Sequence, residues 1–286
     1  MQHPNATPDP AGFQDVYGLS CVENQVLLFL KEQGLDIRFF YGDSLVPLSV
    51  IAEDIVLKGT AYTEAGVVPR IQDRLRTAGI LELTLHADPV SRIRERIAAM
   101  DDADMLLIQV TPDYARQVLH SHGWREDHFV RLLDGNGGML LNDIPPLLRP
   151  LQADELEQAY AGRLLTARLL RTGQMKPVSS ARLLHICAPL PVCTAQQLQD
   201  VDKPLARAQN LLLLYKVLRR RARAYAALFM DTGFMDGSLA AAEALQMKAA
   251  YQLLRGPAGA RETTALLEEL NEIEGGLIAA LEERLP

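Results

Sequence analysis

The sequence predicts an α+β chain: a helix bearing a cysteine, packed on an antiparallel sheet, with a mainly α-helical C-terminal region packed on that core. Three observations predict it. Residues 20–34 carry start and stop signals for a helix around an apolar stripe. Strand patterns follow at 82–86, 104–110 and 128–143, the last broken by a glycine-rich turn. Beyond residue 150 Leu and Ala recur at helical spacing. The expected layout is a loose arm over 1–12, a first domain over 13–150 and a helical region over 151–286. With 48% hydrophobic and 23% charged residues over 286 positions, disorder is not the default and there is material for one large or two modest domains.

The arm, Met1 to Gly12, is rich in Pro, Asn and Asp, which favour turns. The first helix is signposted by Ser20 followed by Glu23, a capping box in which hydroxyl and carboxylate each take a backbone N–H that the helix leaves unpaired. Val22, Val26, Phe29 and Leu30 form its buried stripe, and Gly34 suits a left-handed terminator. Ile37–Tyr41 is expected to be a short strand. A helix spans Pro69 to Ala78, with Ile71 and Leu75 inward, and Glu82 to His86 alternates as a strand does. Val90 to Met100 is an amphipathic helix with Ile93 and Ile97 inward. Asp104 to Val110 is a nearly continuous apolar run, which fits a central strand.

Asp127 to Asp134, then Gly-Asn-Gly-Gly, then Met139 to Asp143 reads as a hairpin. Later helices are expected over 154–172, 204–230, 238–254 and 262–285, with a strand over 181–187.

Cys21 is the first residue of the first helix, where unpaired N–H groups and the positive end of the helix dipole favour the thiolate. His128 opens the first strand of the hairpin and Asp143 closes the second, so the hairpin brings a carboxylate toward an imidazole. Cysteine on a helix start, histidine on a strand start and an acid on the next strand is the order of papain-like folds. The roles that follow are Cys21 as nucleophile, His128 as base and Asp143 as the group that holds the ring. Taken singly, Cys21 also fits a small buried hydrophobe, His128 a hydrogen-bonded strand residue and Asp143 a turn former before Pro145. His86 is a rival base, although no acid lies at a set spacing from it. His120 and His122 stand two apart, a spacing that alone does not make a metal site.

Tyr17-Gly-Leu-Ser-Cys21-Val-Glu-Asn, His128-Phe-Val-Arg and Asn142-Asp143-Ile-Pro together resemble the amino-terminal domain of the butirosin biosynthesis protein H family, which is similar to the cysteine peptidases that remove bacteriocin leaders. The resemblance covers roughly residues 12 to 148. It implies a papain-like catalytic domain used as an acyltransferase, taking an acyl group from an acyl carrier protein thioester through an acyl-cysteine and passing it to a small-molecule amine. Neither metal nor cofactor is implied. The leader peptidases usually carry Asp-Cys-Gly, where this chain has Ser20-Cys21-Val22. They also supply an oxyanion donor from a Gln about six residues upstream of the nucleophile. Position 15 here is Asp, which leaves Gln14 as the nearest candidate, beside the Cys21 backbone N–H.

Residues 1–150 hold 13 Lys and Arg against 21 Asp and Glu, and the remainder 16 against 15. The concentrated basic patch is Lys216, Arg219, Arg220, Arg221 and Arg223, which suits either a docking surface for an acidic carrier protein or a solvated helix face. A net charge of −7 without aromatic-interleaved basic strands argues against nucleic acid. Three cysteines, Cys21, Cys187 and Cys193, argue for free thiols over a disulfide framework. With no apolar run long enough for a bilayer and no signal-like amino terminus, the expected place is the cytoplasm. The competing functions are a cysteine peptidase or amidase, and a papain-like module that binds without catalysis.

Overall fold

The computed structural model describes residues 13–68, 70–119, 128–135, 138–143, 147–171, 183, 186, 193, 195–255 and 260–285. Among them the helices are α1 (Cys21–Glu32), α2 (Leu48–Ala52), α3 (Ile71–Thr77), α4 (Ile93–Ala98), α5 (Pro112–Gln117), α6 (Ala153–Ala159), α7 (Ala195–Leu198), α8 (Pro204–Ala226), α9 (Asp236–Leu254) and α10 (Ala260–Glu282). The strands are β1 (Leu81–His86), β2 (Asp104–Val110), β3 (His128–Gly135), β4 (Gly138–Asp143), β5 (Leu147–Leu151) and β6 (Tyr160–Leu169). Mixed helix and antiparallel sheet is the α+β class.

The chain divides into two compact units, Met1–Ile37 with Arg70–Gln174, and Arg38–Pro69 with Met175–Pro286. A single boundary at residue 150 is therefore corrected twice. The sheet unit runs past β6, and the excursion over 38–69 belongs with the C-terminal helices.

In the first unit six antiparallel strands lie in the order β1-β6-β2-β3-β4-β5. One face is covered by α4, α5 and α6, whose Ile93, Ile97, Tyr114, Ala115, Leu156 and Ala159 share a core with Leu106, Ile108, Val130, Leu132 and Leu141. Side chains alternate along a strand, so Arg131 points to the other face. There its guanidinium lies 5.5 Å over the ring of Phe29 and pairs with Glu32, both on α1. The helix that begins with Cys21 thus packs on the strand that opens with His128.

Two expectations fail here, each for its own reason. Residues 160–169 were expected to continue a helix, but form β6, which pairs with β1 on one edge and β2 on the other. Over residues 164–168 both edges are paired, which satisfies the backbone there and outweighs the helical propensity of a Leu- and Ala-rich segment. Ile37–Ser44 is a 3-10 segment where a strand was expected. Its buried Ile37, Phe40, Tyr41 and Ser44 recur every three or four residues, a helical period hidden by the aromatic composition. The strand expected over 181–187, like the arm over 1–12, falls largely outside the described residues, although Leu183 and Ile186 are buried.

In the second unit α8 packs on α9 and α10. Three arginines of α8 reach the 38–69 segment: Arg207 donates to the carbonyls of Val56 and Leu57, Arg219 to that of Val46, and Arg221 to Ser44 Oγ. No helix among the described residues is long and apolar enough to cross a membrane.

Candidate active site

The site is built upward from the loop that enters α1. Ser20 is extended (φ −142°, ψ 165°), and its Oγ accepts the Glu23 N–H at 3.1 Å, the N-cap bond the sequence predicts. Glu23 goes further than a capping box requires. Its buried carboxylate accepts the N–H of Leu19 on one oxygen and that of Ile71, the first residue of α3, on the other at 2.7 Å. Gly18 donates to Asn24 Oδ1 at 2.7 Å. A Cβ on Gly18 would stand 2.5 Å from the Asn24 backbone nitrogen, so only glycine lets this loop fold so tightly onto the first turn. The consequence is a fixed position for Cys21.

Cys21 is half-buried. Phe129 N–H donates to Cys21 Sγ at 3.4 Å, which joins α1 to the start of β3. The neighbouring His128 is 2% exposed and Asp143 5% exposed. His128 Nε2–H donates to Asp143 Oδ2 at 3.0 Å. The sheet register explains the pair: Arg131 lies opposite Asn142, so Val130 falls opposite Asp143 and His128 is its diagonal neighbour on the same face. With Nε2 taken by Asp143, the ring also lies near enough to Cys21 for that residue to raise its pKa.

Burial is the largest influence on the His128 imidazole and pulls its pKa down. The hydrogen bond and charge of Asp143, together with those of Cys21, more than offset it and push the value up to about 9. The ring is therefore held as imidazolium at neutral pH, between a carboxylate and a sulfur. This arrangement can donate a proton to a departing group on one side while its charge is balanced on the other.

Gln25 was not singled out by sequence reasoning. It lies one turn beyond Cys21, is 1% exposed, and its Nε2 donates to the Asn142 carbonyl at 3.0 Å. The available signal was an amide set directly before the apolar run Val26 to Leu30.

Other candidates are placed elsewhere. Gln14 is exposed in the turn before the loop, and its carbonyl accepts from Lys31 Nζ at 2.7 Å. Lys31 lies about 15 Å along α1 from Cys21, and this placement does not bring Gln14 into the cluster. His86 sits on β1, three strands and roughly 14 Å across the sheet from β3. There it bonds Thr166 Oγ1 at 2.9 Å and Arg96 at 3.2 Å. His120, His122 and Cys187 lie outside the described residues. Among the described residues no group of three or more His, Cys, Asp or Glu could hold a metal. Burial pushes the Cys193 thiol up to about 11, so it is a poor nucleophile at neutral pH.

The basic patch is not the solvated face its sequence suggests. Arg219 and Arg221 are fully buried, the former paired with Glu274 and the latter 5.4 Å over the Tyr41 ring. Arg220 pairs with Glu243, Arg223 with Asp236, and Lys216 donates to Gln246. Burial and the nearby Arg220 lower the Lys216 pKa. These five cations are spent on partners within the helical unit, and a carrier-docking face is not assigned to them. No protein-family model matches this chain, and no curated protein matches it.

Proposed function

We propose that this chain is a cysteine-dependent acyltransferase of papain-like build, with Cys21 as nucleophile, His128 as proton carrier and Asp143 as the group that holds the ring. The observation that carries the reading is the buried His128 imidazole bonded to Asp143 Oδ2 and raised in pKa by the nearby, half-buried Cys21. The resemblance to the butirosin biosynthesis protein H family supports the finer statement that the acyl donor is an acyl carrier protein thioester and the acceptor an amine.

Cys21 Sγ attacks the thioester carbonyl and forms a tetrahedral intermediate. The bond from that carbon to the carrier sulfur then breaks, and His128 protonates the departing thiol. Thioester exchange is close to isoenergetic, so the acyl-Cys21 intermediate forms without an external energy source. The amine then attacks the acyl carbon, His128 takes its proton, and the carbon–sulfur bond to Cys21 breaks to release the amide. The Cys21 backbone N–H at the start of α1 is positioned for one oxyanion donor.

Intact mass after incubation with acyl-carrier thioester is expected to show one acyl adduct, absent in Cys21→Ala and discharged by added amine. Discharge at the same rate without amine makes the protein a hydrolase. Absence of any adduct, with Cys21 alkylated by iodoacetamide no faster than Cys193, overturns the enzymatic reading and leaves a binding module.

A further inference from the structure

Six residues of α9, Gly237, Ala240, Ala244, Met247, Tyr251 and Leu254, recur at alternating spacings of three and four, and all six are exposed. The three large ones are 67%, 60% and 86% exposed in chain order. The helix buries Ala242, Leu245 and Ala249 on its other side, against α8 and α10. Isolated apolar residues on a surface mean little, but a seam of six at the 3.5-residue period is the pattern of one helix made to meet another. It runs over eighteen residues, about 25 Å from first to last.

We propose that this seam binds α9 of a second copy of the chain, antiparallel, about a two-fold axis between Ala244 and Met247. The sizes along the seam decide the partner and its direction. The first three positions are small and the last three large. Turning the helix end for end sets Gly237 against Leu254, Ala240 against Tyr251 and Ala244 against Met247, and the two-fold repeats each match, so every layer joins a small residue to a large one. Parallel pairing in register would set small on small at one end, leaving gaps, and large on large at the other, overfilling it.

The flanking charges agree with the antiparallel match. In this register Glu243 falls opposite Ala250 and Lys248 opposite Ala241, so like charges do not face each other. Both charges are also held on their own chain, by Arg220 and by Glu269. Covering the seam buries on the order of 500 Å² per chain, about 1,000 Å² in all, where specific interfaces begin. The dimer is thus weak but defined, and it is independent of the chemistry at Cys21.

The test is directed cross-linking of the full chain with light-scattering mass measurement over a dilution series. Ala240→Cys chains mixed with Tyr251→Cys chains are expected to form a disulfide dimer above the wild-type background. Either variant alone is not, because its two copies stand eleven residues, roughly 16 Å, apart along the axis. Tyr251→Glu with Leu254→Glu shifts the mass to the monomer while the far-ultraviolet spectrum stays unchanged. Ala240→Cys cross-linking with itself overturns the antiparallel arrangement. A wild-type chain that is monomeric throughout, with no cross-link in the mixture, overturns the dimer.

Discussion

Gln25 Nε2 donates to the carbonyl oxygen of Asn142 at 3.0 Å, one residue before Asp143. The helix that begins with Cys21 is thereby tied to the strand that ends with Asp143. Gln25→Ala removes the donor from a buried carbonyl, at a cost of about 1–3 kcal/mol. Urea melts should show that loss, and iodoacetamide should label Cys21 several-fold more slowly in the variant at unchanged helix content. Loss of stability with an unchanged labelling rate would make Gln25 a structural tie only.

The His128 ring sets a pH window. Its pKa rises from the ordinary 6.5 to about 9 on folding. The associated stability is fully present below pH 6.5 and disappears as pH rises through about 9. Asp143→Asn removes the charge that does most to hold the proton and leaves burial, which pulls the value down, opposed by Cys21. The stability gap between wild type and variant should be widest near pH 6 and close by pH 9 to 10. Nuclear magnetic resonance titration of the ring should place the variant midpoint well below that of the wild type.

Gly18→Ala forces a methyl to within 2.5 Å of the Asn24 backbone nitrogen, which cannot move without α1. The loop must give way, and with it the Gly18 bond to Asn24. The expected cost is about 1–3 kcal/mol, read as a lower melting temperature, with a slower Cys21 adduct as the second readout.

In the helical unit Glu274 receives Arg219 and the Tyr215 hydroxyl, with all three side chains buried. Arg219→Met strands that carboxylate in an apolar interior, at a cost of about 3–5 kcal/mol by analogy with other buried pairs. Adding Glu274→Leu should restore most of the lost melting temperature, because no unpaired charge then remains. A double variant no more stable than the single one would show that the arginine matters by its packing and its bond to Val46.

Ser20, Glu23 and Gly34 were enough to place both ends of α1 from the sequence, because caps and terminators act through contacts a few residues long. The strands were equally legible, β1 from alternation, β2 from its nearly continuous apolar run, and β3 and β4 from the glycines between Asp134 and Met139. The pairing of His128 with Asp143 was legible only as an approach of strand ends. Their shared face depends on the register, a property of two strands together.

Sequence by itself therefore determined the local elements and the order of cysteine, histidine and acid along the chain. Tertiary structure alone decided that residues 160–169 are a strand, since the open edges of β1 and β2 outbid helical propensity. It alone turned Arg219 and Arg221 from surface charges into buried ones, because their partners lie 55 residues after Arg219 and 177 before Arg221. Contacts at such separations leave no periodic trace in a single chain, which is why the helical unit was misread where the cysteine helix was not.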